Sequence, residues 1–564
     1  MKINLFSKIT FAIVIVFLLF GSFLFLVLQQ IKYDWLISYI LFQINRPDLF
    51  ETITQQYFTE EKFILIKKVS CIFSFCNAVF FVICLVFRKN IIVFIEKFLI
   101  RLNTFIRTYF KLLTSNEKKI SIGLICLLLF VIIRSLYYAL SFDIQHDEAW
   151  NYNYFLHKNI FFTAFAYNNY PLHNIITWFF VNAFGSSVLS IRLSVILMGL
   201  FCCSSLFVII KSIFKSEQIA LCTSAIFACL PISVFYMMYA RGVMFEIFFS
   251  LFIFYFMYRY LNEKWRIEKI LLVSILNALG TYSMLSHIYF IGFSSLAFLC
   301  FILIKRQNDL KFLLFYFTFS ILFSCILLLP MYFGTGLSLG LDAGLSGQNF
   351  LALHLLPYHC YSDFITGSWI VFYILFFINI IFLFSKKYTE YIFIFILNIV
   401  LLVSPFIIKI LTHSFPPERA LAFLIIVPIS SIACLFLFFQ NNKSMMYIIT
   451  VVLIIILSIR VHTHSYFNWS KMLDKEAKNL SNILIKNDIK HIYSFSDYFN
   501  YYTPAITYYY NQKNKTLNIS SNNKKSKRYN TKIENDVDCM ISDSTLIDGE
   551  LIFFAEKMKV YKMK

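Results

Sequence analysis

The chain has 564 residues, of which 59% are hydrophobic and only 14% are charged, and its formal net charge is +20. So few charged residues cannot cover the surface of a soluble globule of this length, which excludes that class and predicts a polytopic membrane protein. The excess of Lys and Arg flanks apolar segments, so we attribute it to membrane surfaces rather than to nucleic-acid binding. Walker, GxGxxG, CxxC and HExxH patterns are absent, so no nucleotide, cofactor or metal site is predicted.

Apolar segments long enough to cross a hydrocarbon core of about 30 Å recur from the N-terminus to about residue 460. We predict about thirteen transmembrane helices, at 9–29, 66–87, 120–141, 187–210, 217–238, 243–261, 268–284, 287–304, 312–331, 367–385, 390–409, 419–440 and 445–460. Basic residues concentrate in every second loop, which by the positive-inside rule places the N-terminus in the cytoplasm. An odd number of spans then places the C-terminus outside, and we expect a multi-pass protein of a bacterial plasma (inner) membrane.

The composition divides the chain into three regions. Residues 1–119 form a transmembrane hairpin, retained as an anchor, and a basic amphipathic segment expected on the cytoplasmic leaflet. Residues 120–460 form the main membrane region. Residues 461–564 are polar and predict a small extracytoplasmic α/β domain. Its predicted helices are 469–486 and 501–510, and its predicted strands are 489–495, 517–520, 538–542, 551–555 and 559–562.

An acidic pair, Asp147 and Glu148, follows directly after the third predicted span. A carboxylate beside lipid is poorly solvated, which makes it a better base for deprotonating an acceptor hydroxyl. Alternatively, these acids cap a short interfacial helix, and the neighbouring Trp150 belongs to an aromatic belt. The residue types alone leave both interpretations open.

Further motifs follow in a definite order. They are Asn169-Tyr-Pro-Leu-His173, Ala183-Phe-Gly185, Arg192-Leu-Ser194, Tyr239-Ala240-Arg241, Gly280-Thr-Tyr282 with His287, and Pro416-Pro-Glu-Arg419. Together with the acidic pair, this order resembles, over residues 120–440, the GT-C type membrane glycosyltransferases that use polyprenyl-phosphate sugars. These include the protein O-mannosyltransferases of glycosyltransferase family 39 and the bacterial lipid A aminoarabinose transferases. The chain departs from that pattern where Tyr170 replaces a proline and where Ala420 replaces an aromatic residue, so the sugar stays open.

The resemblance implies a GT-C fold and a hexosyl or pentosyl transferase that inverts the sugar. The implied donor is a polyprenyl-phosphate-linked sugar, and the implied acceptor is a hydroxyl of a lipid, glycan or protein on the extracytoplasmic face. Asp147 is expected to be the general base, and Glu148 to orient the acceptor or share the proton. Donor phosphate binding is expected of Arg241, Arg419 and Arg192, and acceptor or sugar binding of His173, Tyr170, Tyr239, Tyr282 and His287. For each arginine the alternative is that it reaches to lipid headgroups.

Two features stand apart from these motifs. Glu246 falls about one turn inside the sixth predicted span, where a charge is costly, so we expect it to pair with Arg241 or to line a cavity. The outer loop 334–367 is long and contains glycines, which favours either a lid or a solvated linker. Its two histidines and two acids leave a divalent cation open. A transporter or flippase of lipid-linked glycans is the alternative function, although we find no internal repeat of the kind common in transporters.

Overall fold

A computed structural model of the protein describes residues 5–44, 59–114, 117–157, 160–164, 170–261, 267–305, 310–334, 365–366, 369–384, 391–412, 418–463, 465–494, 502–513, 515, 517–521, 538–542, 549–555 and 558–563. The membrane region is helical. Its helices are α1 (Leu5–Gln30), α2 (Tyr33–Ile44), α3 (Glu60–Val86), α4 (Arg88–Leu113), α5 (Lys118–Ser141), α6 (His146–Asn151), α7 (Pro171–Phe184), α8 (Val188–Phe214), α9 (Glu217–Cys229), α10 (Pro231–Tyr236), α11 (Val243–Leu261), α12 (Ile267–Ser283), α13 (His287–Lys305), α14 (Leu310–Gly334), α15 (Trp369–Phe384), α16 (Ile392–Thr412), α17 (Ile426–Phe438) and α18 (Lys443–Thr463).

Within the described residues, nine helices are long and apolar enough to span a membrane. This confirms the prediction of a polytopic helical membrane protein, whereas the predicted count of about thirteen exceeds these nine. The span predicted at 217–238 is instead two helices, α9 and α10, because Pro231 has no amide hydrogen to continue α9. Two others are short, since α12 has 17 residues and α15 has 16.

Helix α8 lies at the centre of the membrane region. It packs against α5, α7, α9 and α11, and the side chains along its length are largely buried. By contrast, the N-terminal hairpin of α1 and α3 exposes most of its apolar surface. Its two helices pack against each other, and Asn77 in α3 donates a hydrogen bond to the Leu18 carbonyl at 2.6 Å. Side-chain amides of this kind join transmembrane helices where hydrophobicity cannot select a neighbour.

The basic segment after the hairpin is helix α4, as its amphipathic pattern predicts. Its C-terminal end packs on α8, where the Tyr109 hydroxyl lies 3.0 Å from Ser205 Oγ and 3.2 Å from Ser204 Oγ. Lys211 of α8 in turn donates to the Leu112 carbonyl at 2.9 Å. Helix α4 is therefore joined to the central helix of the membrane region at its C-terminal end.

The C-terminal region begins with α19 (Ser465–Lys486), which follows α18 directly, and has a second helix, α20 (Thr503–Gln512). Five strands form one sheet in the order β2-β1-β3-β5-β4. They are β1 (His491–Ser494), β2 (Asn518–Ser521), β3 (Cys539–Ser542), β4 (Gly549–Ala555) and β5 (Met558–Met563). Strand β1 is parallel to β2 and β3, while β5 pairs antiparallel with β3 and β4. Parallel neighbours need a crossover, and α20 lies between β1 and β2 in the chain.

Candidate active site

The acidic pair lies on α6, a helix of only six residues that follows a short extended turn after α5. Glu148 is at the third position of this helix, and its Oε2 accepts a hydrogen bond from the Gln145 backbone N–H at 3.0 Å. A carboxylate there satisfies a backbone donor that the first turn of a helix leaves unpaired. One of the two interpretations of the sequence, capping of a short helix, therefore applies to Glu148.

Glu148 is fully buried and forms a two-pronged ion pair with Arg192 at the start of α8. Arg192 Nε lies 2.9 Å from Glu148 Oε1, and Nη2 lies 2.6 Å from Oε2. The Ala240 backbone N–H also donates to Glu148 Oε1, at 2.7 Å. With the Gln145 bond, the carboxylate accepts four hydrogen bonds, which is the full capacity of its two oxygens.

Arg192 is only 2% exposed, and all five of its N–H groups have acceptors. Besides the two bonds to Glu148, Nη1 donates to the carbonyls of Ala139 and Phe142, and Nη2 donates to that of Asp143. Glu148 and Arg192 thus have partners that differ from those expected from the sequence. Arg192 has no donor left for a phosphate, and Glu148 has no lone pair left for an acceptor hydroxyl, because each is saturated by protein groups.

Asp147 points the other way and is 38% exposed. Its Oδ2 forms an ion pair with Arg241 Nη2 and accepts a hydrogen bond from the Tyr239 hydroxyl at 3.1 Å. We expected Asp147 to lie beside lipid, but its neighbours in the structure are polar. Both partners stabilise the charged carboxylate, and the structure brings together three residues that the sequence analysis singled out separately.

Two aromatic rings hold the Arg241 guanidinium. Its central carbon lies 5.0 Å from the centroid of the Tyr239 ring and 5.9 Å from that of Tyr170, distances at which a cation is attracted to a ring face. The chain turns closely here, because a Cβ on Gly242 would lie 2.0 Å from the Ser283 carbonyl oxygen. Glycine at this position therefore lets the segment that carries Arg241 approach the end of α12.

His173, expected to bind acceptor or sugar, is buried in the first turn of α7. Its Nδ1 lies 3.2 Å from the Asn174 side-chain oxygen, and its Nε2 lies 3.2 Å from Thr177 Oγ1. Because an amide oxygen only accepts, Nδ1 carries the proton and Nε2 accepts one from Thr177. Burial lowers the pKa of His173 to about 4, so the ring is neutral near pH 7. It supports α7 through these contacts.

Behind Arg241, α11 and the start of α13 contribute a buried polar group. Glu246 is fully buried, and its Oε1 is 3.5 Å from Ser286 Oγ. His287 Nδ1 is 3.4 Å from Ser250 Oγ. In the part of the chain that the structure describes, Glu246 Oε2 and His287 Nε2 have no hydrogen-bond partner. Glu246 thus contacts Ser286, whereas from the sequence we expected it to pair with Arg241 or to line a cavity.

The predicted motif of Gly280 and His287 has a steric basis. A Cβ on Gly280 would lie 2.5 Å from Cδ2 and Nε2 of the His287 imidazole. Only glycine allows the ring to lie directly on α12. The motif therefore packs α12 against the start of α13, and the His287 side chain is fully buried.

Tyr282 and Arg419 remain at the edge of the described arrangement. Both side chains are partly exposed, and Arg419 is the second residue of a 3-10 segment, Glu418–Ile425, that leads into α17. The loop 334–367, expected to be either a lid or a solvated linker, lies outside the described residues except for 334 and 365–366, so this stays a prediction. Among the described residues no group of three or more His, Cys, Asp or Glu side chains is placed to hold a metal.

Sequence reasoning did not assign Ala240, Ser286 or Ser250 to the site. Ala240 acts through its backbone N–H, for which a sequence carries no signal. Ser250 lies in the apolar helix α11, where serine has many uses, and Ser286 lies in the turn before α13. A usable signal did exist for Glu148, since Gln145 and Glu148 have the three-residue spacing of a helix-capping pair.

The free energies of unfolding of single and double variants should show that Glu148 and Arg192 are coupled. We expect Glu148→Gln to lower the free energy of unfolding by about 3 to 5 kcal/mol, because it leaves the Arg192 charge buried without a counter-ion. Glu148→Gln combined with Arg192→Met should be less destabilised than the sum of the two single variants. Thermal unfolding of the purified variants measures this. Additive losses would mean that the pair has no coupling.

A matched pair of glycine substitutions tests the packing of His287. Gly280→Ala should destabilise the protein by about 1 to 3 kcal/mol, because the added methyl group displaces the imidazole. Gly292→Ala in α13 is the control, since a Cβ there meets nothing within 4 Å. Melting temperatures of both variants in one detergent provide the comparison. Equal stability of the two variants would contradict the close approach of His287 to α12.

Known proteins resemble this chain in part of its sequence and in its fold. The sequence profile of the dolichyl-phosphate-mannose-protein mannosyltransferase family matches residues 168–332. That segment contains Arg192, Arg241 and His287, while Asp147 and Glu148 lie before it. No curated protein matches the chain.

Among solved structures, ArnT from Cupriavidus metallidurans bound to undecaprenyl phosphate is similar at 10% identity and a TM-score of 0.50, covering 78% of this chain and 97% of ArnT. An Archaeoglobus fulgidus oligosaccharyltransferase tethered to an acceptor peptide is similar at 13% identity and a TM-score of 0.43, covering 68% of this chain and 63% of the oligosaccharyltransferase. The family match and the shared fold confirm the resemblance to the GT-C type, polyprenyl-phosphate-sugar-dependent membrane glycosyltransferases, and the chain is a multi-pass membrane protein with their fold.

Proposed function

We propose that this protein transfers a sugar from a polyprenyl-phosphate carrier to an acceptor hydroxyl on the extracytoplasmic face of the membrane, with inversion at the anomeric carbon. The observation that carries the proposal is the partly exposed Asp147 carboxylate in contact with the Arg241 guanidinium and the Tyr239 hydroxyl. A base and a fixed cation are then adjacent, as this reaction requires. The fold shared with ArnT, which was solved with undecaprenyl phosphate, supports the class of donor.

In the proposed step, the acceptor oxygen attacks the anomeric carbon, and its proton passes to Asp147. The bond between the anomeric carbon and the phosphate oxygen breaks, and its electron pair stays on the phosphate. The leaving polyprenyl phosphate therefore carries one more negative charge than it did as a diester. A cation held in place beforehand stabilises that growing charge without reorganising at the moment of reaction.

Arg241 supplies this cation, and its present partner indicates how the site would change on binding. The donor phosphate competes with Asp147 for the guanidinium, since both are oxygen anions. When Arg241 moves its hydrogen bond to the phosphate, an Asp147 oxygen becomes available for the acceptor proton. The rings of Tyr170 and Tyr239 keep the guanidinium near both positions. Arg419 is proposed as a second cation for the phosphate.

Glu148 and Arg192 act in this proposal as positioning residues. Their ion pair and the bond to Ala240 fix α6 against the segment that carries Tyr239 and Arg241. We assign the acceptor or sugar contacts to the Tyr170, Tyr239 and Tyr282 side chains, because aromatic rings and phenol hydroxyls suit sugar faces and edges. The extracytoplasmic location rests on the distribution of Lys and Arg among the loops.

Asp147→Asn should abolish transfer while the protein still folds and inserts. An amide keeps the shape of the side chain and cannot accept the proton, so we expect a loss of about 10² to 10⁴ in rate. Purified protein in nanodiscs is incubated with a panel of radiolabelled polyprenyl-phosphate sugars and a lysate of acceptors, and both label transfer and lipid phosphate release are followed. Asp488→Asn is the control, because among the described residues this exposed acid pairs with Lys490 and Lys515 of the C-terminal domain.

Equal transfer by wild type and Asp147→Asn would remove Asp147 from the role of base. Donor binding with movement of the lipid across the bilayer, but no transfer by either protein, would favour a flippase.

Arg241→Gln should both weaken donor binding and slow transfer from a bound donor, because the proposed contact with the phosphate persists while its charge grows. A hydrogen bond to a charged group contributes about 1.5 to 3 kcal/mol, so we expect the donor KM to rise by roughly 10-fold to 100-fold. Arg241→Lys should recover part of this, because a lysine keeps the charge and loses the paired geometry. Steady-state kinetics against donor concentration decide the matter. An unchanged donor KM in Arg241→Gln would exclude the phosphate role.

A further inference from the structure

The helix that carries Asp147 is covered on its outer side by the C-terminal domain. Helix α20 packs against α6 and the π-helical turn Tyr152–Leu156 that follows it. Apolar side chains from both parts form one buried cluster. It includes Ile144, Ala149 and Tyr152 on one side, and Ala505, Ile506 and Tyr508 on the other. The acidic helix is therefore enclosed between Arg192 on the membrane side and α20 on the outside.

Polar contacts fix the register between the two parts. Asn153 in the π-helical turn donates to the Pro504 carbonyl at 2.8 Å and accepts from Asn511 Nδ2 at 3.1 Å. Lys478 of α19 forms an ion pair with Asp143, 2.7 Å apart, just before α6. The first two bonds hold α20 against Asn153, and the Lys478 ion pair holds α19 against Asp143. Directional hydrogen bonds of buried amides specify one arrangement, since any shift leaves them unpaired.

Tyr508 links α20 to both ends of the outer segment that contains α7. Its ring meets Tyr152 edge to face, with centroids 5.1 Å apart, and its hydroxyl donates to the Ser186 carbonyl at 2.7 Å. Gln512 donates to the same carbonyl at 2.8 Å. The Tyr508 side chain thus connects the π-helical turn after α6 with the turn before α8, and Arg192 is the fifth residue of α8.

A helix of six residues has little stability of its own, because nucleation costs more than one or two turns return. Its conformation must come from its neighbours: the membrane side supplies the contacts of Glu148 and Asp147, and α20 packs against it from the outside. The exposed position of Asp147 then depends on how α6 is rotated and held from outside. Catalytic groups lose rate when they are displaced by about 1 Å from the reacting atoms.

We propose that α20 of the C-terminal domain positions the acidic helix for catalysis, with Tyr508 and Asn153 as positioning residues. The proposal rests on the function proposed above for Asp147. Its physical part, the coupling of α20 to α6, is independent of any activity. The C-terminal domain then serves the reaction from the outside of the site without touching the reacting atoms.

Hydrogen–deuterium exchange of the full-length protein tests the coupling without any donor. In Tyr508→Ala we expect exchange of peptides within 143–157 to become about tenfold faster, while peptides of the sheet strands keep their wild-type rates. Tyr508→Phe keeps the ring contact with Tyr152 and should fall between wild type and Tyr508→Ala. Lys515→Ala is the matched control, because Lys515 pairs with Asp488 and lies in the same domain. Unchanged exchange at 143–157, or faster exchange throughout the domain, would overturn the proposal.

Kinetics on the same proteins test the consequence for catalysis. Tyr508→Ala and Asn153→Ala should lower kcat by about tenfold with little change in donor KM, because Arg241 keeps its place while Asp147 is less well held. Tyr508→Phe should recover most of the rate. Faster exchange together with an unchanged kcat would refute positioning. If wild type transfers none of the donors, the proposed function fails, while the exchange result still decides whether α20 holds α6.

Discussion

The buried ion pair of Glu148 and Arg192 is the interaction on which the rest of the site depends. Two charges removed from water are costly, and the cost is recovered only when every donor and acceptor is satisfied. Here all five N–H groups of the arginine and four acceptor positions of the carboxylate are used. Because the partners belong to α5 and its turn, α6, α8 and the segment before α11, the pair joins these parts at one point.

This arrangement explains how two adjacent acids acquire opposite environments. Successive residues of a helix point about 100° apart, and on α6 Glu148 faces inward to Arg192 while Asp147 faces outward. Outward here means toward Arg241 and Tyr239, which the Ala240 backbone bond to Glu148 holds nearby. The inner acid therefore has all of its acceptor positions filled, while the outer acid remains partly exposed.

Two regions hold the site in place, and they are stabilised by different interactions. On the membrane side, long apolar helices are joined by scattered polar contacts, such as the chain from Asn379 to Asn398 to Ser430. Lipid gives no reason for apolar helices to choose a particular neighbour, so these hydrogen bonds and close glycine contacts select it. On the outside, the C-terminal domain packs through a mixed core of tyrosines and aliphatic side chains. Water is present there, and burial of apolar surface supplies the stabilisation.

The sequence by itself determined the membrane class, the approximate positions of the spans, the α/β pattern of the tail and the order of motifs that indicates the fold. These follow from composition and from local periodicity, which one stretch of chain contains in full. Tertiary structure decided which charged groups are partners. Arg192 pairs with Glu148 although 44 residues separate them, and α20 reaches Asn153 from 351 residues away in the chain. Periodicity predicts which face of a helix is buried, but it does not predict which helix packs there. The ion pair of Arg192 with Glu148 of α6 is therefore visible only in the packed structure.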